Sequence, residues 1–198
     1  TYIPSIPDIA NAFNVSIEKI ELSLSIFLIG FSVGQIFGGP ISDKYGRKMS
    51  SVFGLIGFGF FSFLIIFSTT IYELWFFRFF EAFCGGIVVV NAAAAVRDRF
   101  HGAEAAKVFS LIGMVRSIAP LMAPVIHFWT WKAVFIFLTL YAFVVAFFIY
   151  RDLEESYTYT KQNIIESFKM VLRHKTAIKS MLVLGFSFGG FFVIVAKT

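Results

Sequence analysis

The sequence predicts an all-α membrane protein, a six-helix bundle built from inverted three-helix repeats. Three observations point there. Of 198 residues, 58% are hydrophobic and 15% charged, with 28 Phe, more apolar side chain than one soluble core can bury. The apolar residues fall in runs of about 20, the length a helix needs to cross about 30 Å of hydrocarbon. The basic residues sit between these runs, and the connections alternate between basic-rich and basic-poor.

Five complete spans are expected, over 21–41, 50–68, 72–95, 105–128 and 131–150. Residues 1–14 read as the exit of an earlier helix, and a further apolar segment starts near Met181, so both ends are expected to be truncated. The opening TYIPSIPDIANAF does not read as a secretory signal. Residues 151–178 form the longest polar connection and carry Ile164, Ile165, Phe168, Met170, Val171 and Leu172 at roughly helical spacing. They predict an amphipathic linker helix on the membrane face. The expected domains are a transmembrane bundle over 1–150, the linker over 151–178 and the first part of a second bundle over 179–198.

The connections orient the chain. Lys44, Arg47 and Lys48 follow the first complete span, Arg97, Arg99 and Lys107 the third, and Arg151, Lys161, Lys169, Arg173, Lys175 and Lys179 the fifth. The opposite side has Lys19 and Lys132, so the basic loops are expected in the cytoplasm. A pI near 9.4 with a mean hydropathy of +0.81 therefore reflects membrane topology, and no nucleic-acid partner is expected. The lone Cys84 lies in an apolar run and reads as a packing residue.

Gly30, Gly34 and Gly38 recur every four residues and form one close-packing face on the first complete span. The fourth span carries Gly113, Ala119 and Ala123 with Pro120 and Pro124, which predict a bend. Counting the partial first helix, these are the second and fifth of six, the relation two inverted three-helix repeats would give.

Three ionisable residues lie well inside spans: Arg78 and Glu81 on the third, Arg116 on the fourth. Charges at that depth face a cavity or a partner. Arg78 and Glu81 share a helix face, and the depths of Glu81 and Arg116 let them meet across an interface. The expectation is an Arg78, Glu81, Arg116 cluster, acting in coupling or as a static ion cluster holding helices in register. A carboxylate between two guanidinium groups carries protons only if an arginine withdraws. Phe76, Phe77, Phe79, Phe80 and Phe83 flank the cluster, and those facing Arg78 could line a hydrophobic pocket. His101, His127 and His174 fall on separate segments, so no metal site is expected, and the chain has no phosphate-cradling P-loop for an ATP-driven pump.

The stretch GGPISDKYGRK resembles the loop signature of the major facilitator superfamily, through Gly39, Asp43, Gly46, Arg47 and Lys48. LWFFRFFEAFCGG is similar to that superfamily's fourth-helix motif, through Arg78, Glu81, Gly85 and Gly86. The opening YIPSIPDIANAF, AAAAVRDRF with Arg97 and Asp98, and IAPLMAPVI followed by WKAVF resemble its bicyclomycin-resistance branch of drug:proton antiporters. The resemblance implies the N-terminal half of a twelve-helix transporter, working by alternating access on a small-molecule substrate in a bacterial inner membrane. The proton gradient would drive it without a cofactor, and the partner would be a C-terminal bundle outside this chain. It further implies a cytoplasmic gate at Asp43, with Arg47 and Arg97 or Arg99 as partners, proton coupling at Arg78, and helix bending at Pro120 and Pro124.

Glu81 stands where the branch usually has Gln, Arg116 stands on a helix usually uncharged, and PVIHFW with His127 lacks the usual Gly pair. Not an enzyme but an exporter of small hydrophobic drugs or metabolites is the leading expectation. Proton-coupled nutrient uptake and a non-transporting membrane fragment are the alternatives.

Overall fold

The structure is a computed structural model that describes residues 6–127 and 131–155, together with Lys179 and Val183; within α5 the side chains of 115–127 are excepted. The chain divides into two compact units, 1–159 and 160–198. The expected amphipathic linker helix and the apolar segment beginning near Met181 lie outside the described residues.

Among the described residues six helices follow in order: α1 Ile6–Phe13, α2 Ile17–Tyr45, α3 Arg47–Ile66, α4 Ile71–Arg99, α5 Gly102–His127 and α6 Trp131–Asp152. Among the described residues, α2, α3, α4 and α6 are each long and apolar enough to cross a membrane. The fold is that of an all-helical, multi-pass membrane protein.

Helix limits differ from the hydropathy reading mostly at the basic end. GGPISDKYGRK is not an extended loop: α2 continues through Pro40 to Tyr45, and α3 begins at Arg47 rather than near Ser50. The break is the single residue Gly46, with φ +87°, a conformation glycine adopts without steric cost. Its N–H donates to the Ser42 carbonyl at 2.9 Å, satisfying a terminal acceptor of α2. α4 likewise runs on to Arg99, because polar residues remain helical beyond the apolar run. At its other end a capping box starts α4: Glu73 N–H donates to Thr70 Oγ1 at 3.3 Å, and Thr70 N–H to Glu73 Oε2 at 3.2 Å.

Lipid offers helices no hydrophobic incentive to associate, so close packing must supply it. Gly30, Gly34 and Gly38 lie against the α4 backbone at Phe79, Phe83 and Ile87, which sets α2 and α4 parallel. From the other side Gly86 meets the α2 backbone at Phe31 and Gln35. Helix α3 runs antiparallel to α4, with Gly57 against Cys84 and the Phe58 ring against Gly85. Helix α6 covers the far side of α3, where Leu55 packs with Ala142 and Ala146. At the basic-poor end, Ile9, Ile20, Ile65, Leu74 and Phe135 join α1, α2, α3, α4 and α6 in one buried cluster.

Phe53, Phe60, Phe67, Phe76 and Phe147 are exposed, whereas Ser23, Ser50, Ser62, Arg78, Glu81, Asn91 and Thr139 are buried. This inversion fits a hydrocarbon solvent, in which polar groups need internal partners.

A side chain at Gly34 or Gly86 must push two backbones apart, whereas one at Gly39 would meet nothing within 4 Å. Gly34→Val and Gly86→Val are each expected to destabilise the full-length protein by about 1–3 kcal/mol. Gly39→Ala should be neutral or slightly stabilising. Thermal unfolding in detergent checks this; equal melting of all three variants would contradict backbone contact between α2 and α4.

Candidate functional site

Two polar assemblies interrupt the apolar bundle: a buried ion pair in mid-helix, and a network where α2 passes into α3. The first is centred on Glu81, about 15 Å along α4 from Ile71 at the helix rise, and fully enclosed. Arg78, one turn earlier, is 5% exposed, and its Nη1 donates to Glu81 Oε2 at 2.8 Å. The other carboxylate oxygen, Oε1, accepts from Ser62 Oγ of α3 at 2.7 Å. The Arg78 guanidinium lies 4.4 Å from the ring centroid of Phe27 on α2 and 5.7 Å from that of Phe135 on α6. An unpaired charge here would carry a large desolvation cost; pairing cancels the net charge, and the ring faces favour the cation.

The sequence expectation set Glu81 between Arg78 and Arg116: the Arg78 contact is present, and the Arg116 side chain lies outside the described residues. Ser62 holds the second oxygen, and no reading of charge alone would select it. In the sequence it is one of several small residues on this span, with Ser50, Ser51, Gly54, Gly57 and Gly59. The side chains of Arg116, Pro120 and Pro124 lie outside the described residues; the α5 backbone is helical through all three positions. Phe27 of α2 and Phe135 of α6 place their rings over Arg78. Of the Phe residues flanking Arg78 on α4, Phe79 and Phe83 lend their backbones to the glycine seam, and Phe80 stacks on Phe61 at 5.3 Å.

Nearer the basic end, Asn91 is fully buried and its Nδ2 donates to Ser50 Oγ at 2.7 Å, a second polar link between α4 and α3. Sequence reasoning did not select either residue.

At the basic end, Arg47 gathers three elements. Its Nη1 reaches Asp43 Oδ1 at 2.9 Å and bonds Ser42 Oγ, both on α2, while Nε reaches Asp98 Oδ2 on α4 at 3.1 Å. Arg97 is exposed, and Arg99 donates to the Glu154 carbonyl. Lys48 places its ammonium 5.3 Å from the centroid of Tyr150 on α6. Glu155, absent from the sequence reading, caps α3: its Oε1 accepts from Arg47 N–H at 2.8 Å and its Oε2 from Lys48 N–H at 3.1 Å. A carboxylate at a helix N-terminus satisfies orphan donors and the helix dipole together. Gly46 has a second constraint here, since a Cβ on it would collide with that carboxylate.

Apolar helices fused by backbone contact, a desolvated ion pair at mid-depth and a charged network at one end describe a polytopic membrane protein. The chain belongs to the Major Facilitator Superfamily, whose family model matches residues 1–197. A bicyclomycin resistance protein homolog of Haemophilus influenzae is 31% identical over 207 residues, covering 98% of this chain and 52% of the relative. An uncharacterized transporter of the same family from Bacillus subtilis is 30% identical over 210 residues, covering 100% of this chain and 52% of the relative. Multidrug resistance protein D of Escherichia coli is 28% identical over 160 residues, covering 78% and 41%. The chain thus spans about half the length of the curated relatives it matches. The family is one of transporters, not enzymes.

Glu155→Ala removes both cap bonds and is expected to cost about 1 kcal/mol of stability. Thermal unfolding of the full-length protein at low and high salt checks it, the loss shrinking as salt screens the dipole. An unchanged melting temperature at low salt would show the cap to be without weight.

Proposed function

We propose that the full-length protein carrying this chain is a proton-coupled exporter of small, largely hydrophobic drugs or metabolites, working by alternating access. The observation that carries this reading is the fully enclosed Glu81, paired with Arg78 in the same helix and bonded across to α3. A charge pair this deep is costly to keep unless it changes partners or protonation during work. Export is favoured over uptake by the relatives named for bicyclomycin and multidrug resistance.

In this reading Arg78 is the fixed cation and Glu81 the group that accepts the proton, with Arg116 an alternative partner on α5. Asp43, Arg47 and Asp98, with Gly39, Gly46, Lys48 and Arg97 around them, form a gate that closes against a C-terminal bundle. Pro120 and Pro124 bend α5, while Gly30, Gly34, Gly38, Gly85 and Gly86 keep the helices close enough to move as one body. Residues 1–150 supply the first bundle, 151–178 the linker and 179–198 the start of the second. The location proposed is a bacterial inner membrane with the basic loops in the cytoplasm.

Cells carrying the complete gene are expected to lose bicyclomycin susceptibility relative to cells without it; no difference across a broad drug panel would count against export. In vesicles, Glu81→Gln is expected to lower proton movement per drug transported by roughly tenfold, whereas retained coupling would remove Glu81 from the mechanism. Arg78→Ala leaves a buried carboxylate unpaired and should cost about 3–5 kcal/mol of stability.

A further inference from the structure

We infer that Ser62 is a positioning residue for the proton site, holding Glu81 in both its ionised and its protonated forms. The inference rests on the coupling role proposed for Glu81 and adds the group that would let that carboxyl change state inside a closed bundle.

The two donors to Glu81 are not equivalent. Arg78 Nη1, 2.8 Å from Oε2, sits three residues away on the same helix and travels with the carboxylate. Ser62 Oγ, 2.7 Å from Oε1, belongs to α3. The serine bond therefore ties the carboxyl to α3, whereas the arginine bond lies within α4.

They also differ in chemistry. A guanidinium can only donate, so it matches a carboxylate but offers a protonated carboxyl no acceptor. A hydroxyl donates and accepts. With the carboxylate, Ser62 O–H points at Oε1. When Oε1 takes a proton, the hydroxyl turns, and its oxygen accepts the new O–H while its own hydrogen leaves that line. No atom is transferred to serine; the proton arrives on Glu81 and departs from it. Without such an acceptor, a carboxylic acid enclosed among apolar helices would keep an unsatisfied donor.

Among the described residues, the hydroxyl bonded to Glu81 is that of Ser62. On α4 itself the ionisable neighbours are Arg78 and Cys84, the thiol lying against Gly57. From α2 and α6 the rings of Phe27 and Phe135 face the guanidinium. From α3 the contact is Ser62, and α5 carries Arg116, whose side chain lies outside the described residues.

The test is infrared difference spectroscopy on the full-length protein in lipid vesicles, stepped from alkaline to acid buffer with no drug present. A protonated Glu81 gives a carboxyl C=O stretching band that Glu81→Gln abolishes. In Ser62→Ala this band is expected to move to higher wavenumber, as a carboxyl released from its hydrogen bond does, and Ser62→Thr, which keeps the hydroxyl, should return it. If Ser62→Ala does not accumulate, Ser62→Cys, of similar volume and weaker hydrogen bonding, should give a smaller shift in the same direction. A Glu81-dependent band that stays in place in Ser62→Ala and Ser62→Cys overturns the role of Ser62 while leaving that of Glu81. Absence of any Glu81-dependent band overturns both.

Discussion

Along α2 and α4 two backbones meet with almost no side chain between them, and the remaining geometry follows from that approach. Gly30, Gly34, Gly38 and Gly86 allow it. Hydrocarbon competes with protein for every apolar contact, so helices hold together where atoms fit more densely than lipid tails can. Bringing α2 to this distance also brings Phe27 over the Arg78 guanidinium, which secures the cation while Glu81 is enclosed. The seam and the ion pair thus support each other: without the seam the charges would be open to lipid, and without pairing the seam would bury an unmatched charge.

The interior is polar where a soluble domain would be apolar. Serine, threonine and asparagine recur between α3 and its neighbours: Ser62 with Glu81, Ser50 with Asn91, and Thr139 Oγ1 donating to the Gly59 carbonyl at 3.4 Å. Such bonds are modest individually and directional, so they define helix register more than strength of association. Among the described residues many phenylalanines face outward, Phe53, Phe60, Phe67, Phe76 and Phe147 among them, where lipid is the solvent.

Within residues 6–155, helix number and order were legible because a run of about 20 apolar residues has few alternatives. Helix ends were less so: hydropathy reports where hydrocarbon ends, while hydrogen bonding lets α2 and α4 continue past it through Tyr45 and Arg99. The spacing of Gly30, Gly34 and Gly38 identified a face but not that α4 would occupy it. Arg78 and Glu81 drew notice because charges are rare inside spans; Ser62, Asn91 and Glu155 did not, since a serine, an asparagine or a carboxylate beyond a helix end is unremarkable until the fold supplies its partner. Ser62 and Asn91 meet theirs across a helix interface, and Glu155 meets its partner across 108 positions of sequence. Local pattern carries no record of contacts that distant.

That last separation has a bearing on how the bundle is assembled. Synthesis runs from the N-terminus, so Arg47 leaves the ribosome long before Glu155. Until then the first turn of α3 carries uncapped amide donors at the basic end. When Glu155 arrives, it closes α3 to α6 into a non-covalent ring beside Gly46, whose positive φ favours glycine. The cap is a signature of completion: a chain halted before residue 155 can insert its helices, yet has no means of making this closure.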